Sequence, residues 1–548
     1  MREIKHLIFF SMILLPLISI GQKSERIKYK ADELFEFREN GQKMRKLTGN
    51  VIFAQEGTTM YCDSSLYHVK ANLMEAFGHV KIVDDSVVIT ANTLIYDGKK
   101  KTAKLRENVV YTKGEQQLFT DFLDYDTDNE IANYFNNGQL RDSTNTLTSE
   151  IGFLYSKENY ALFRTEVNLD APDYILKSDT LRYQTETKIA ITKGKTVIET
   201  DDGTVLHAKG GEFRTEQDQS EFIVGNIETE DYYLEGDELF FDDLKQFYTA
   251  KGNVKLTAKN DDVILFGDDG FMDEKGNISK IYGHALMKRM LERDTFYITA
   301  DTLVSIDSEY DSAKRVLAYN DVKLWKSNLQ GIADSASYFL SDSLIYLYED
   351  PVIWNLDNQI EGDTISIVMS EDQIETMEIL QRSFLIGLDT IGNFNQIKGR
   401  TMKASFIGGV IDKIDVNGNG EALYYVLDDS DSTNTTTMGM NRILCSDMTM
   451  RFKDEELHNI SFYKKPDAKF IPPHELTKDM QELKGFLWRG DLRPTFEEVV
   501  YQIARPTPAE AIEESEPQKL IPAVKLNSIE GVSEKERKLL KKTKVKQE

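Results

Sequence analysis

The chain has 548 residues, 40% of them apolar and 29% charged, so it can bury cores and is not a broadly disordered polymer. Its 92 acidic against 66 basic side chains leave a formal charge of −26, which argues against a nucleic-acid partner, since that needs a basic footprint. Two cysteines exclude a disulfide scaffold and a cysteine zinc module, and 11 prolines exclude a Pro-rich chain.

Residues 1–21 read as a secretory signal peptide. Arg2, Lys5 and His6 precede an apolar run from Leu7 to Ile20, and Ser19 and Gly21 stand at the −3 and −1 places for cleavage before Gln22. The rival reading is an uncleaved anchor, although the run is shorter than the ~20 apolar residues of a membrane span. No cysteine follows the run, so a lipoprotein is not expected. The expected location is the periplasm, with association to the outer membrane open.

From residue 22 to about 465 one pattern repeats with a period of roughly 28–33 residues. A small-residue corner carrying Asp or Asn recurs, as in "TANTLIYD" around Asn92 and "EGDELFFDD" around Asp237. About 15 residues on comes Gly-Asn-Val or a variant, as at Gly49-Asn50-Val51, Gly78-His79-Val80 and Gly252-Asn253-Val254. Between these anchors Val, Ile, Thr, Tyr and Phe alternate with polar residues, which predicts strands.

The alternation slips at each Asp corner. Ile89 and Ala91 hold the apolar face before Asn92, and Leu94 and Tyr96 hold it after. A slip of this kind is a bend inside a strand that keeps one face inward. Turn chemistry midway between anchors, such as Asp97-Gly98-Lys99 and Lys113-Gly114-Glu115, marks hairpins. The expected fold is all-β: bent antiparallel strands in tandem repeats, their two arms facing each other over an apolar interior. About 25 strands at ~4.8 Å would run on the order of 120 Å. One continuous body and two or three stacked units both fit.

After Pro466 the pattern stops. Leu476, Met480, Leu483 and Leu487 fall at helical spacing behind Pro472-Pro473, so a capping segment with a short helix is expected over 466–505. Residues 506–548, rich in Pro, Glu and Lys, read as a disordered tail.

The corner repeats and the leader together resemble the OstA family, the LptA-like and LptD N-terminal-like periplasmic lipopolysaccharide transport proteins. The resemblance covers residues 31 to about 465. It implies an elongated β-jellyroll, or taco, that carries lipid A acyl chains in its groove. It also implies joining to other transport components of the inner and outer membranes by pairing of end strands. The chain departs from a single unit of that family by its length, by degenerate repeats after Asp363, and by lacking a C-terminal membrane barrel.

The most regular repeats lie toward the N-terminus, so lipid contact is expected there, at Val51, Phe53, Leu66, Phe77, Val80, Ile82, Ile89, Leu94 and Val109. The competing reading of such a stripe is plain core. No catalytic motif, metal spacing or cofactor site is expected. His79 and His284 occupy corner places held by Asn50 and Asn253, which suits corner hydrogen bonding. Asp415, Asn417, Asn419 and Gly420 mimic the start of a calcium loop, but Val426 stands where its closing Glu belongs, and a hairpin turn accounts for them better. The leading expectation is a non-enzymatic lipopolysaccharide carrier or bridge. The alternative is a structural β-solenoid with a dry interior, and a polysaccharide-cleaving enzyme comes third.

Overall fold

The computed structural model describes residues 26–500 except 185, 202, 215, 216, 218, 231, 243, 260, 261, 293, 371, 372, 429–434, 454 and 455. The signal peptide over 1–21 and the tail over 506–548 lie outside the described residues. The chain divides into two compact units, residues 1–172 and 173–548. Both consist of tandem antiparallel strands, as the alternation predicts.

In the first unit the strands Gln42–Gln55, Thr58–His68, Leu73–Asp84, Val87–Asp97, Thr102–Lys113 and Gln116–Asp126 each pair with the next. In the second the same meander runs from Tyr174–Gln184 to Leu329–Phe339. Beyond it the arms become separate short strands, and the long bent strands Val410–Asp428 and Thr436–Lys453 follow.

Most corners are register shifts, although the strand Gln219–Glu228 passes its corner in register with both neighbours. Between Phe77 and Val80 two residues, Gly78 and His79, face one, Asn92, on the next strand. Gly78 and His79 take φ of 74° and 42°, and the equivalent pairs Gly49-Asn50, Gly252-Asn253 and Gly283-His284 repeat this left-handed geometry. In these four pairs the first place is crowded, although other corners, such as Glu107-Asn108, carry a side chain there. A Cβ on Gly283 would lie 2.8 Å from Asp268 Oδ2, and one on Gly49 would lie 2.6 Å from Asp32 Oδ2. The same carboxylate binds the second residue: Asn50 Nδ2 donates to Asp32 at 2.8 Å and Asn253 Nδ2 to Asp237 at 2.7 Å. His79 and His284 meet Asp63 and Asp268 at 2.7 and 2.8 Å, so these histidines are corner residues. Asn417 to Gly420 form one more corner, opposite Asp447, inside the strand Val410–Asp428. They do not form the expected hairpin turn, because Gly418 and Asn419 supply the two positive-φ residues a bulge needs.

The end of the second unit departs from expectation. The strand Asp467–Ile471 continues the sheet past Pro466, pairing with Met440–Leu444. Residues 476–487 do not form a helix. After 3-10 turns at Pro473–Glu475 and Lys478–Met480 the chain runs as an irregular strap over the outer sheet face. The helical spacing still has physical content, because Leu476, Met480 and Leu483 pack on Phe384, Ile386, Tyr425 and Met440.

The strap's backbone is met by buried glutamines instead of its own next turn. Gln396 accepts from Leu483 N and donates to Gln481 O, both at 2.8 Å. Gln359 accepts from Arg489 N and donates to Leu487 O, both at 2.7 Å. Arg493 Nε donates to Gln330 Oε1 at 2.7 Å. The one α-helix among the described residues, Phe496–Val500, follows a reciprocal Thr495–Glu498 capping box and seats Val499 on Leu286 and Tyr297. The strand Val352–Asn355 is therefore buried on both faces, which accounts for its unbroken apolar run.

Two outcomes follow. Gly283→Ala is expected to lower unfolding free energy by about 1–2 kcal/mol from left-handed strain alone, with a further loss from the Asp268 clash. In a double-mutant cycle by urea unfolding, the Asp268→Ala background should remove that second part. Gln359→Ala orphans two strap backbone groups and should cost about 2–3 kcal/mol, with faster hydrogen exchange at the Arg489 amide.

Candidate functional site: the apolar interior

In the first unit the two arms meet face to face. The rings of Phe53 and Tyr67, from opposite arms, have centroids 6.2 Å apart, and those of Tyr111 and Tyr125 are 6.5 Å apart. One arm presents a cross-strand ladder of Phe53, Met60, Ile82, Ile89, Tyr111 and Leu118. The other presents Tyr67, Met74, Tyr96, Ala103, Tyr125 and Ala132. None of these twelve is more than 3% exposed. The interior here is a closed core.

Seven of the nine residues expected to touch lipid lie in this closed interior: Val51, Phe53, Val80, Ile82, Ile89, Leu94 and Val109 are all at or below 1% exposure. Leu66 and Phe77 do not. After Asp63 the inward phase passes to Ser65 and Tyr67, which turns Leu66 outward and half-buries it. Phe77 immediately precedes the Gly78-His79 bulge, falls between the inward residues Ala76 and Val80, and is 45% exposed. A hollow of about 630 Å³ lies outside this core, on the folded edge, lined among others by Asn108, Asp121, Asn137 and Glu166.

The second unit differs at the same ladder positions. Ile227, Leu234 and Leu256 are cross-strand neighbours on the inward phase, and all three are half-buried. The opposite arm carries an aromatic run of Phe213, Phe222, Phe241 and Tyr248, with centroid spacings of 5.0, 5.8 and 5.6 Å. Phe213, Tyr248 and Met272 are half-buried as well. Further along, Met287, Ile298 and Leu324 continue the first ladder and are again at or below 1% exposure. Leu206 and Leu265, the ladder neighbours of Ile227 and Leu256, are buried, as are Phe222 and Phe241, so the partly open places are Ile227, Leu234 and Leu256 on the aliphatic wall and Phe213, Tyr248 and Met272 on the other. No regularity in the sequence singled them out, because their apolar pattern matches that of the sealed repeats.

The buried titratable groups of the first unit's interior include phenols and a thiol. Burial, and then the Asp84 charge, raise the Tyr125 phenol, burial lifts Tyr134 to about 12, and burial pushes the Cys62 thiol up to about 11. Tyr125 donates to Asp84, Tyr134 shares a bond with Ser149, the Cys62 sulfur accepts from the Phe77 backbone, and all three are neutral at pH 7. Among the described residues no group of three or more His, Cys, Asp and Glu is placed to hold a metal ion.

Comparison with known proteins gives two family matches. Residues 24–179 match the OstA-like protein family, and residues 290–373 match the family described as LptA/(LptD N-terminal domain) LPS transport protein. The stretch around Ile227, Leu234 and Leu256 lies between the two matches. No curated protein matches the chain. Among solved structures, that of LptH, the LptA homologous periplasmic component of the lipopolysaccharide transport device of Pseudomonas aeruginosa, is similar at 15% identity. That alignment covers 22% of this chain and 82% of the other, with a TM-score of 0.19. At the level of these two segments, the chain is similar to the OstA-like and the LptA/(LptD N-terminal domain) families.

Proposed function

We propose that the protein is a periplasmic, non-enzymatic bridge that carries lipopolysaccharide toward the outer membrane, holding lipid A acyl chains between its apolar arms. The observation that carries this reading is the half-buried ladder Ile227–Leu234–Leu256 facing the aromatic run Phe213–Tyr248, in a chain with two segments of lipopolysaccharide-transport families. Acyl chains are retained there by burial alone, at about 0.8 kcal/mol per CH₂, while sugars and phosphates stay in water. Movement in one direction is supplied by other transport components, which join by pairing with end strands. Export by the segment 1–21 belongs to the same proposal.

The closed interior of the first unit favours a second reading, a dry structural solenoid of the cell envelope. In that reading Val51, Phe53 and their neighbours are core and nothing else.

Photocrosslinking in cells separates the two. A photoreactive residue in place of Leu234 or Leu256 is expected to give lipopolysaccharide adducts, and one in place of Phe53 far fewer. Secreted, folded protein that yields no adduct from any of the three positions would overturn the carrier and leave the scaffold.

A further inference from the structure

The margins of the first unit's two arms are tied together by bonds that recur with the repeat. Tyr96 Oη donates to Gln55 Oε1 at 3.0 Å, and Tyr125 Oη donates to Asp84 Oδ2 at 2.8 Å. Both phenols stand at the fourth place after a corner residue, Asn92 and Asp121. Both acceptors end the opposite arm of the third strand before, Gln42–Gln55 and Leu73–Asp84. Gln55 Nε2 also donates to Gly98 O at 3.0 Å, and Lys101 Nζ bridges Glu56 and Asp128 at 2.6 and 2.8 Å. Tyr111 and Ser156 share a 3.2 Å bond across the same gap.

The second unit repeats the arrangement once at its far end. Tyr338, fourth after Asp334, is bonded by Arg289 from the end of the third strand before, and Arg289 also lies over its ring at 5.2 Å. Between these places the fourth residue after Ser149 is Phe153 and that after Asp179 is Tyr183, and from Lys209 on the phenol is missing as a run. The fourth residues after Lys209, Asp237, Asp268 and Asp301 are Phe213, Phe241, Met272 and Ser305. Phenylalanine and methionine cannot donate the bond, and the half-buried Ile227, Leu234 and Leu256 lie within this run, before the interior closes again at Met287 and Ile298.

We infer that Tyr96, Tyr125 and Tyr338 are latches closing the mouth between the arms, and that the missing phenol from Phe213 to Met272 makes a lateral portal where an apolar chain enters the interior. The portal's lipid ligand rests on the function proposed above, but the latch itself does not. A bond of this kind has a small net worth in water and a larger one at a margin that is otherwise dry. Several in a row hold the arms shut, and a run without them lets the margins part.

The latch is tested on the full chain without lipid, so its failure is distinguishable from failure of the carrier reading. With Cys62→Ala and Cys445→Ala as background, single reporters Ile82→Cys and Leu234→Cys are followed by maleimide labelling. The Leu234 reporter is expected to react much faster than the Ile82 reporter. Tyr96→Phe and Tyr125→Phe should each speed the Ile82 reporter roughly fivefold, with unchanged far-ultraviolet circular dichroism. Met272→Tyr, which sets a phenol on the mouth with Glu228 at the facing margin, should slow the Leu234 reporter. Equal rates for the two reporters, or an Ile82 rate unmoved by both phenylalanine variants, would overturn the inference. Hydrogen exchange at the Gln55 and Asp97 margins, compared between the parent chain and the phenylalanine variants, gives the same readout should the Ile82 reporter fail to fold.

Discussion

Everything in the fold depends on one carboxylate meeting one bulge. A strand that carried its alternation straight through would make a flat sheet with a single apolar face and nothing to cover it. Two residues with positive φ on one strand, set against one residue on the next, turn both strands through the same corner. The Asp that packs over the glycine and binds the Asn or His beside it fixes which two residues those are. Because the shift recurs in neighbouring pairs, the corners line up and each strand's two arms bring their apolar faces together. Polar corner chemistry thus decides where the hydrophobic effect acts, although it contributes little burial itself.

Much of this was legible in the residues. The slip at Asn92, from Ile89 and Ala91 to Leu94 and Tyr96, is an arithmetic feature of the sequence, and all four residues are buried where it places them. The same arithmetic at Asp63 gives Ser65 and Tyr67 inside. Leu66 was assigned inward on hydrophobicity, against the phase. Phe77 illustrates a different limit. On the glycine strand the inward phase jumps by four residues, from Ala76 to Val80, so an aromatic next to the bulge is stranded outside whatever its character. The strap is a third case. Helical spacing was present, but no local pattern reveals that Gln396 and Gln359, many strands away in sequence, offer its backbone better partners than its own next turn.

What the sequence conceals about the candidate site has the same origin. Sealed and half-open repeats share a periodicity, because the apolar faces are needed in both to keep the arms together. They differ in the chemistry at the margins, where a side chain reaches across to the other arm. A margin residue contributes nothing to the strand pattern, so periodicity is blind to it. Distinguishing Tyr from Phe at one place in each repeat requires knowing that this place faces the gap, and only the paired geometry of both arms supplies that.

The three-strand offset of the tyrosine bonds has a further consequence for how opening is distributed. Each bond ties a hairpin on one arm to a hairpin on the other that is 41 residues on, so neighbouring bonds interleave and no repeat can spread alone. Parting the first unit requires breaking several such ties together and wetting an interior of closely packed rings. In the stretch from Phe213 to Met272 the ladder residues Ile227, Leu234 and Leu256 are already partly in water. The cost of admitting an apolar chain is lowest where part of the desolvation gain is still uncollected, since an acyl chain buries surface that the arms themselves leave exposed. A tube of identical repeats would have no preferred point of entry. Removing one hydroxyl per repeat over a limited stretch creates such a point while keeping the apolar faces on which the fold depends.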